Sequence, residues 1–275
     1  MKKELKIDWY TDGFDGVYYL DCQAICVAAS AGYFNIRCYY FYCYLEIYFR
    51  YWDYFCRDRS RTILKLLGMK ISRLLPKDKK EVKNYVIDSL NGNKPVILFP
   101  NYTALFYCGT YKMKVKSEEN VAHGILVVGY DDERSVVTIA DPMLIQYKNL
   151  DEYNKYIEPF TVSPPFTKLQ ITNDMLFDMW ERSECKYIIT IEKREEPMIE
   201  NINELITWIC NDFIQENECY MSWLIKNRRK IGDEINLNLE FLRRDLVTSS
   251  TLLFDVIKRF YNDNSIKKKE FLSFG

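Results

Sequence analysis

The chain has 275 residues, 48% of them hydrophobic, and a formal net charge of -1. That composition supports a sizeable core and offers no bulk field for nucleic acid, an acidic membrane or a polycation. The nine cysteines form no Cys-x-x-Cys pair, which argues against a disulfide framework and a zinc site and points to reduced thiols in a cytoplasm.

The opening Met-Lys-Lys-Glu-Leu-Lys leads into mixed polar sequence, unlike a secretory signal. No stretch reaches the roughly 20 apolar residues of a membrane helix. There is a single histidine, His123, so any imidazole chemistry must use it and a multi-histidine metal centre is excluded. No metal or redox cofactor is implied.

Asp12-Gly13 and Asp15-Gly16 mark an irregular approach. From Asp21 the pattern turns small and apolar, and predicts a short buried helix over 22–32, with Asp21 as cap, Cys22 in the first turn and Gly32 as stop. Residues 38–56 form a dense aromatic block that reads as a helix, with Glu46, Arg50 and Asp53 on one polar face. Its aromatics read as core packing or as the wall of an acyl-binding tunnel. Helices are expected at 59–67 and 78–90. The basic residues Lys65, Lys70, Arg73, Lys77, Lys79 and Lys80 read first as a solvated helix face, and otherwise as a surface for an acidic carrier protein or its phosphopantetheine phosphate.

The character then switches to strand. Runs at 95–100, 122–130 and 135–140 are short and apolar, and 131–134 between the last two reads as a hairpin turn. A strand at 144–147, a helix at 149–157, a loop at 159–165, a helix at 173–183 and a closing strand at 186–192 follow. Helices are expected at 199–216, 218–230 and 235–262. Helices first, a mostly antiparallel sheet next and a helical tail last describe an α+β chain. The expected organisation is a catalytic domain at 1–194 with a helical C-terminal segment at 195–275.

Three residues line up chemically. Cys22 opens a helix, where backbone N–H groups and the helix dipole stabilise a thiolate. His123 opens an apolar strand beside Gly124. Asp141 ends the next strand of the same hairpin. A thiolate attacks a carbonyl, an imidazole takes and returns the proton, and a carboxylate fixes the imidazole tautomer. Singly, each has an ordinary reading: a small core cysteine, a structural histidine, a turn aspartate. Cys26, one turn deeper in the apolar run, is the rival nucleophile.

Residues 122–142, Ala-His-Gly-Ile-Leu-Val-Val-Gly-Tyr-Asp-Asp-Glu-Arg-Ser-Val-Val-Thr-Ile-Ala-Asp-Pro, resemble the His–Asp hairpin of papain-like cysteine peptidases of the bacteriocin-leader type. In that group a helix-opening cysteine lies about a hundred residues upstream, and here Cys22 precedes His123 by 101. Asn93-Lys-Pro-Val-Ile-Leu-Phe-Pro-Asn-Tyr102, the hairpin and Asn149-Leu-Asp-Glu-Tyr153 are similar to the N-terminal domain of the butirosin-biosynthesis H-type acyltransferases, with amide-forming enzymes of the closthioamide type as relatives. The resemblance implies a papain-like fold and a Cys22, His123, Asp141 triad. It also implies acyl transfer from a carrier-protein phosphopantetheine thioester to a small amine, with trimming of a leader or small peptide as the alternative. One departure stands out: the stretch before Cys22 lacks the glutamine that papain-like peptidases use as an oxyanion donor. Tyr18, Tyr19 and the Cys22 N–H are left as candidates.

Overall fold

In the computed structural model of the chain, the described residues are 2–7, 20–52, 58–105, 122–142, 161–163, 166–183, 185–194, 196–212 and 256. Eight strands form a single sheet in the order β2-β8-β3-β4-β5-β7-β6, with β1 pairing β4 off that path. All pairings are antiparallel. The strands are β1 (Lys2–Glu4), β2 (Met69–Leu74), β3 (Val96–Leu98), β4 (Ile125–Asp131), β5 (Val136–Asp141), β6 (Thr161–Ser163), β7 (Phe166–Thr172) and β8 (Ile188–Lys193).

Two helices precede most of the sheet: α1 (Cys22–Phe34) and α2 (Ile36–Trp52). α3 (Arg59–Leu66) leads into β2, α4 (Lys79–Asn91) into β3, and α5 (Asn173–Glu181) lies between β7 and β8. A sixth helix, α6, occupies 202–212. The chain is therefore α+β, as its element order indicates.

The sheet centre is apolar on successive residues. Val96, Ile97 and Leu98 of β3 and Ile125 to Val128 of β4 are all buried, so both faces need cover. α1 packs against β3, β4 and β8, α4 against β1, β3 and β4, and α5 against β5 and β7. Four helix starts carry a side-chain cap. The Asp21, Asp58, Asp78 and Thr172 side chains accept from Ala24, Arg61, Glu81 and Met175 N–H groups respectively.

The β4–β5 hairpin closes through Asp131, whose Oδ1 accepts from the Glu133 and Arg134 N–H groups. Its turn falls at 132–135, one residue later than the sequence indicates. α1 runs through the buried Gly32 to Phe34, and Asn35 makes the stop.

The expected polar face on α2 is corrected at Glu46. This carboxylate is 2% exposed and pairs with the Arg59 Nε at 2.9 Å. Strands β1, β2 and β7 replace segments with no sequence assignment or, for Lys70 and Arg73, an expected helix face. β2 and β7 alternate: Met69 and Ile71, then Leu169 and Ile171, point inward. The expected elements at 144–147 and 149–157 lie outside the described residues. So do 218–230 and, apart from Val256, 235–262.

α6 returns to the core. Ile202, Leu205 and Ile209 join the same buried cluster as the sheet. Trp208 sits against Tyr48 and Phe49 of α2, with ring centroids 6.0 and 5.5 Å apart. Among the described residues no helix is long and apolar enough to cross a membrane.

Candidate active site

The β4–β5 register sets two of the three residues. Leu126 pairs with Ala140, which carries Asp141 across from Ile125. His123, two residues before Ile125, takes the same face by the period of two. Its backbone is pinned, since the His123 N–H donates to the Pro100 carbonyl at 2.8 Å and Ala122 bridges Asn101. His123 Nε2 then meets Asp141 Oδ1 at 2.6 Å, with side chains 2% and 0% exposed.

The third residue comes from α1. Asp21 caps the helix and its carbonyl accepts from Ile25 N–H, so Cys22 occupies the first helical position. The sulfur sits at the strand entry, where the Gly124 N–H donates to Cys22 Sγ at 3.2 Å. Helix and strand approach closely here, and a side chain at this position would crowd the helix start. A Cβ on Gly124 would stand 3.2 Å from Gln23 N and 3.3 Å from both Cys22 C and O.

Electrostatics couple the three groups. Burial is the largest single influence on His123 and pushes its pKa down. The hydrogen bonds to Asp141 and Cys22, with the charges of both, outweigh it and raise the imidazole from 6.5 to about 9. With Nε2 engaged by Asp141, Nδ1 is the ring nitrogen left for the sulfur. The imidazole thus lies between the Asp141 carboxylate and the Cys22 sulfur, and both favour its protonated form. Such an arrangement can hold an ion pair, protonate a leaving group and take a proton back.

Cys26 differs in every respect. It is fully buried, and its thiol donates to the Gly124 carbonyl at 3.5 Å. Burial first, then the charges of Cys22, Asp141 and Asp21, push its pKa well up. A thiol so placed stays protonated.

Cys22, by contrast, is partly exposed. A pocket of about 140 Å³ is walled by Asp21, Gln23 and Ala24 at the start of α1, Glu46 of α2, Asp58 at the α3 cap, Arg59 and Ser60 of α3, and Arg73 of β2; Cys22 itself is not on its lining. This pocket is polar. The described aromatics of α2 are core: Tyr39, Phe41, Tyr42 and Tyr48 are each at most 1% exposed and pack inside. The tunnel reading of that block gives way to the packing one.

The structure therefore brings together Cys22, His123 and Asp141, the residues singled out in the sequence. Tyr18 and Tyr19 lie outside the described residues. The contributions of the Gly124 N–H and the Pro100 carbonyl were not legible in the sequence. A glycine directly after the histidine was the only local signal for the first. Among the described residues, no three His, Cys, Asp or Glu side chains converge as a metal site.

Residues 25–142 match the family model of butirosin biosynthesis protein H, N-terminal. The match takes in His123 and Asp141 and starts within α1, just after Cys22. Among solved structures, the chain is similar to one described as a C39-like peptidase from Bacillus anthracis, at 15% identity and a TM-score of 0.30. That similarity covers 50% of this chain and 59% of the other, so the match spans about three-fifths of that protein. No curated protein matches the chain.

Proposed function

We propose that this chain is a papain-like cysteine enzyme that forms amides. Cys22 takes an acyl group from a carrier-protein thioester, and a small amine resolves the acyl-enzyme. The observation that carries the reading is the connected line of Cys22, His123 and Asp141, with the His123–Asp141 bond at 2.6 Å and a raised imidazole pKa.

The chemistry follows from that line. The Cys22 thiolate attacks the thioester carbonyl, and a carbon–sulfur bond forms as the oxygen becomes an oxyanion. The first N–H groups of α1 face no helical acceptor, and the Cys22 N–H is the donor assigned to that oxygen. As the tetrahedral centre collapses, the carrier thiol leaves with the proton of the His123 imidazolium. The neutral imidazole next takes a proton from the amine as its nitrogen attacks. Cys22 departs as thiolate, and the amide carries the acyl group away. Asp141 keeps the imidazole in one orientation throughout.

Two points support transfer over hydrolysis. The match to the butirosin H family covers both hairpin residues. A thioester, being more reactive than a peptide bond, also needs less oxyanion stabilisation, which suits a sequence that lacks the oxyanion glutamine before Cys22. A second reading, a cysteine peptidase, draws on one observation: among the described residues β2 pairs only with β8, which leaves an edge beside Arg73 where an extended peptide could add.

Product analysis separates the two. With an acyl thioester and a millimolar panel of amines, amide should exceed free acid. Free acid with every amine, together with cleavage of a peptide panel, would favour the peptidase.

A further inference from the structure

Attack of Cys22 on a carbonyl puts negative charge on the carbonyl oxygen, and one N–H at a helix start leaves a second donor to be found. The sequence before Cys22 carries no glutamine to supply it. The two ladders of β3 lead to a different group. Val96 pairs with Val127 of β4 and with Thr190 of β8. Carried three residues on, these registers make Phe99 the neighbour of Gly124 on one side and of Tyr187 on the other. The rings agree, with the Phe99 and Tyr187 centroids 4.7 Å apart. Tyr187, Phe99 and Gly124 therefore lie in one row, at the sheet end where the Gly124 N–H holds Cys22 Sγ.

Strand order decides the side. From β4, Asp141 lies toward β5 and Tyr187 toward β8. α1 packs on β3, β4 and β8, so the helix that carries Cys22 covers the Tyr187 side. The imidazole–carboxylate line thus approaches the sulfur from one side and the phenol from the other. The oxygen of an attacked carbonyl belongs on that second side, because the imidazolium must face the leaving group. Two strand spacings, roughly 10 Å, separate the Gly124 and Tyr187 backbones. The Tyr187 ring packs on Phe99 within that gap, and the Cys22 charge is felt at its phenol.

The hydroxyl has donor capacity to spare. Tyr187 is partly buried, and its O–H makes no hydrogen bond to any described residue. Burial first, then Cys185, pushes the phenol pKa up; Arg73 draws it down and Cys22 pushes it up again, with a net rise. A phenol held above its ordinary value keeps its proton at neutral pH and can donate it to a hydrogen bond. The Arg73 guanidinium, 5.7 Å from the ring centroid, adds a positive charge beside that donor.

We propose that Tyr187 is the second oxyanion donor, a catalytic residue on the opposite side of Cys22 from Asp141. As the bond between Cys22 Sγ and the carbonyl carbon forms, the carbonyl π pair moves onto oxygen. The Tyr187 O–H donates to that oxygen without transferring its proton. Collapse restores the carbonyl, expels the leaving group and releases the hydroxyl. The role rests on the acyl-Cys22 intermediate, which transfer and hydrolysis share.

Tyr187→Phe tests it, because the variant keeps the ring between Phe99 and Arg73 and removes only the O–H. Two reagents are compared on the full chain. p-Nitrophenyl acetate acetylates the sulfur through a tetrahedral oxyanion and releases p-nitrophenolate. Iodoacetamide alkylates the same sulfur by direct displacement of iodide, with no oxyanion. Rates at Cys22 are read by peptide mapping, with Cys22→Ala as the blank. Acetylation of Tyr187→Phe should fall at least about tenfold, toward the roughly 10²–10³ typical of a lost oxyanion donor. Its alkylation rate, the pH profile of that rate and its urea midpoint should stay at wild-type values. A parallel fall in both reactions overturns the assignment, since the phenol would then act on the sulfur and not on the oxygen. The other failures are distinct. Wild-type acetylation matched by Tyr187→Phe removes Tyr187 and leaves the acyl-enzyme standing. A wild type alkylated at Cys22 but never acetylated there overturns the acyl-enzyme, and the donor with it.

Discussion

His123 is the only imidazole in the chain, so its charge can be followed without ambiguity. In the folded protein its pKa is raised to about 9 from the ordinary 6.5, against the pull of burial. Tag-free protein labelled with ¹³C-histidine should give a single ring resonance titrating near pH 9 in buffer and near 6.5 in urea. The difference is also a stability term. Because the folded value is the higher one, the stabilisation is complete below pH 6.5 and is lost as the pH rises from there through 9. A rise of that size corresponds to roughly 3 kcal/mol. Urea unfolding at pH 6 and pH 9.5 should show that loss, less the contribution of other groups. The hydrogen bond to Asp141 outranks the one to Cys22 among the influences that raise the value. Asp141→Asn should therefore lower the midpoint more than Cys22→Ala does. A native midpoint at or below 6.5 would refute the reasoning, since burial would then have overcome both partners.

Iodoacetamide at pH 6–7 should alkylate Cys22 well before Cys26, as peptide mapping over a time course would show. The basis is the partial exposure of Cys22 against a fully buried Cys26 whose pKa is pushed well up. Gly124→Ala should force the start of α1 away by a few tenths of an ångström, since the new Cβ meets backbone at 3.2–3.3 Å. We expect a stability cost of about 1–3 kcal/mol and a larger proportional loss of Cys22 alkylation rate; an unchanged rate would mean the Gly124 N–H does not matter to the sulfur. The Glu46–Arg59 pair should respond asymmetrically to truncation. Arg59→Ala strands a carboxylate that is 2% exposed and should cost about 3–5 kcal/mol in urea unfolding, whereas Glu46→Gln leaves a partly exposed arginine to water and should cost less.

Much of the site was legible because its residues carry local signals. Asp21 before a small apolar run marks a helix start, and the hairpin between Ala122 and Pro142 brings its two polar ends together by strand register alone. Both inferences need only periodicity and a turn. What stayed hidden depends on packing between distant segments. Glu46 looks like a surface residue by helical spacing, yet Arg59, thirteen residues on, allows it to be buried. Arg73 belongs to a lysine-rich stretch that reads as solvated, and only the β2–β8 pairing places it over Tyr187. β7 alternates cleanly at Leu169 and Ile171, but it follows two prolines, whose loop signal masked the strand. The aromatic block of α2 shows the converse. Its composition suggests a ligand-binding wall, and the structure spends those rings on the core between α1 and α6.

The central claim is a covalent acyl group on one sulfur. Wild-type protein incubated briefly with an acyl thioester, quenched in acid and read by intact mass should gain one acyl group. Peptide mapping should place it on Cys22, and an added acceptor amine should clear it faster than buffer alone. Cys22→Ala should gain nothing under the same conditions. An adduct that persists in that variant, or one that maps to Cys26, would contradict the account.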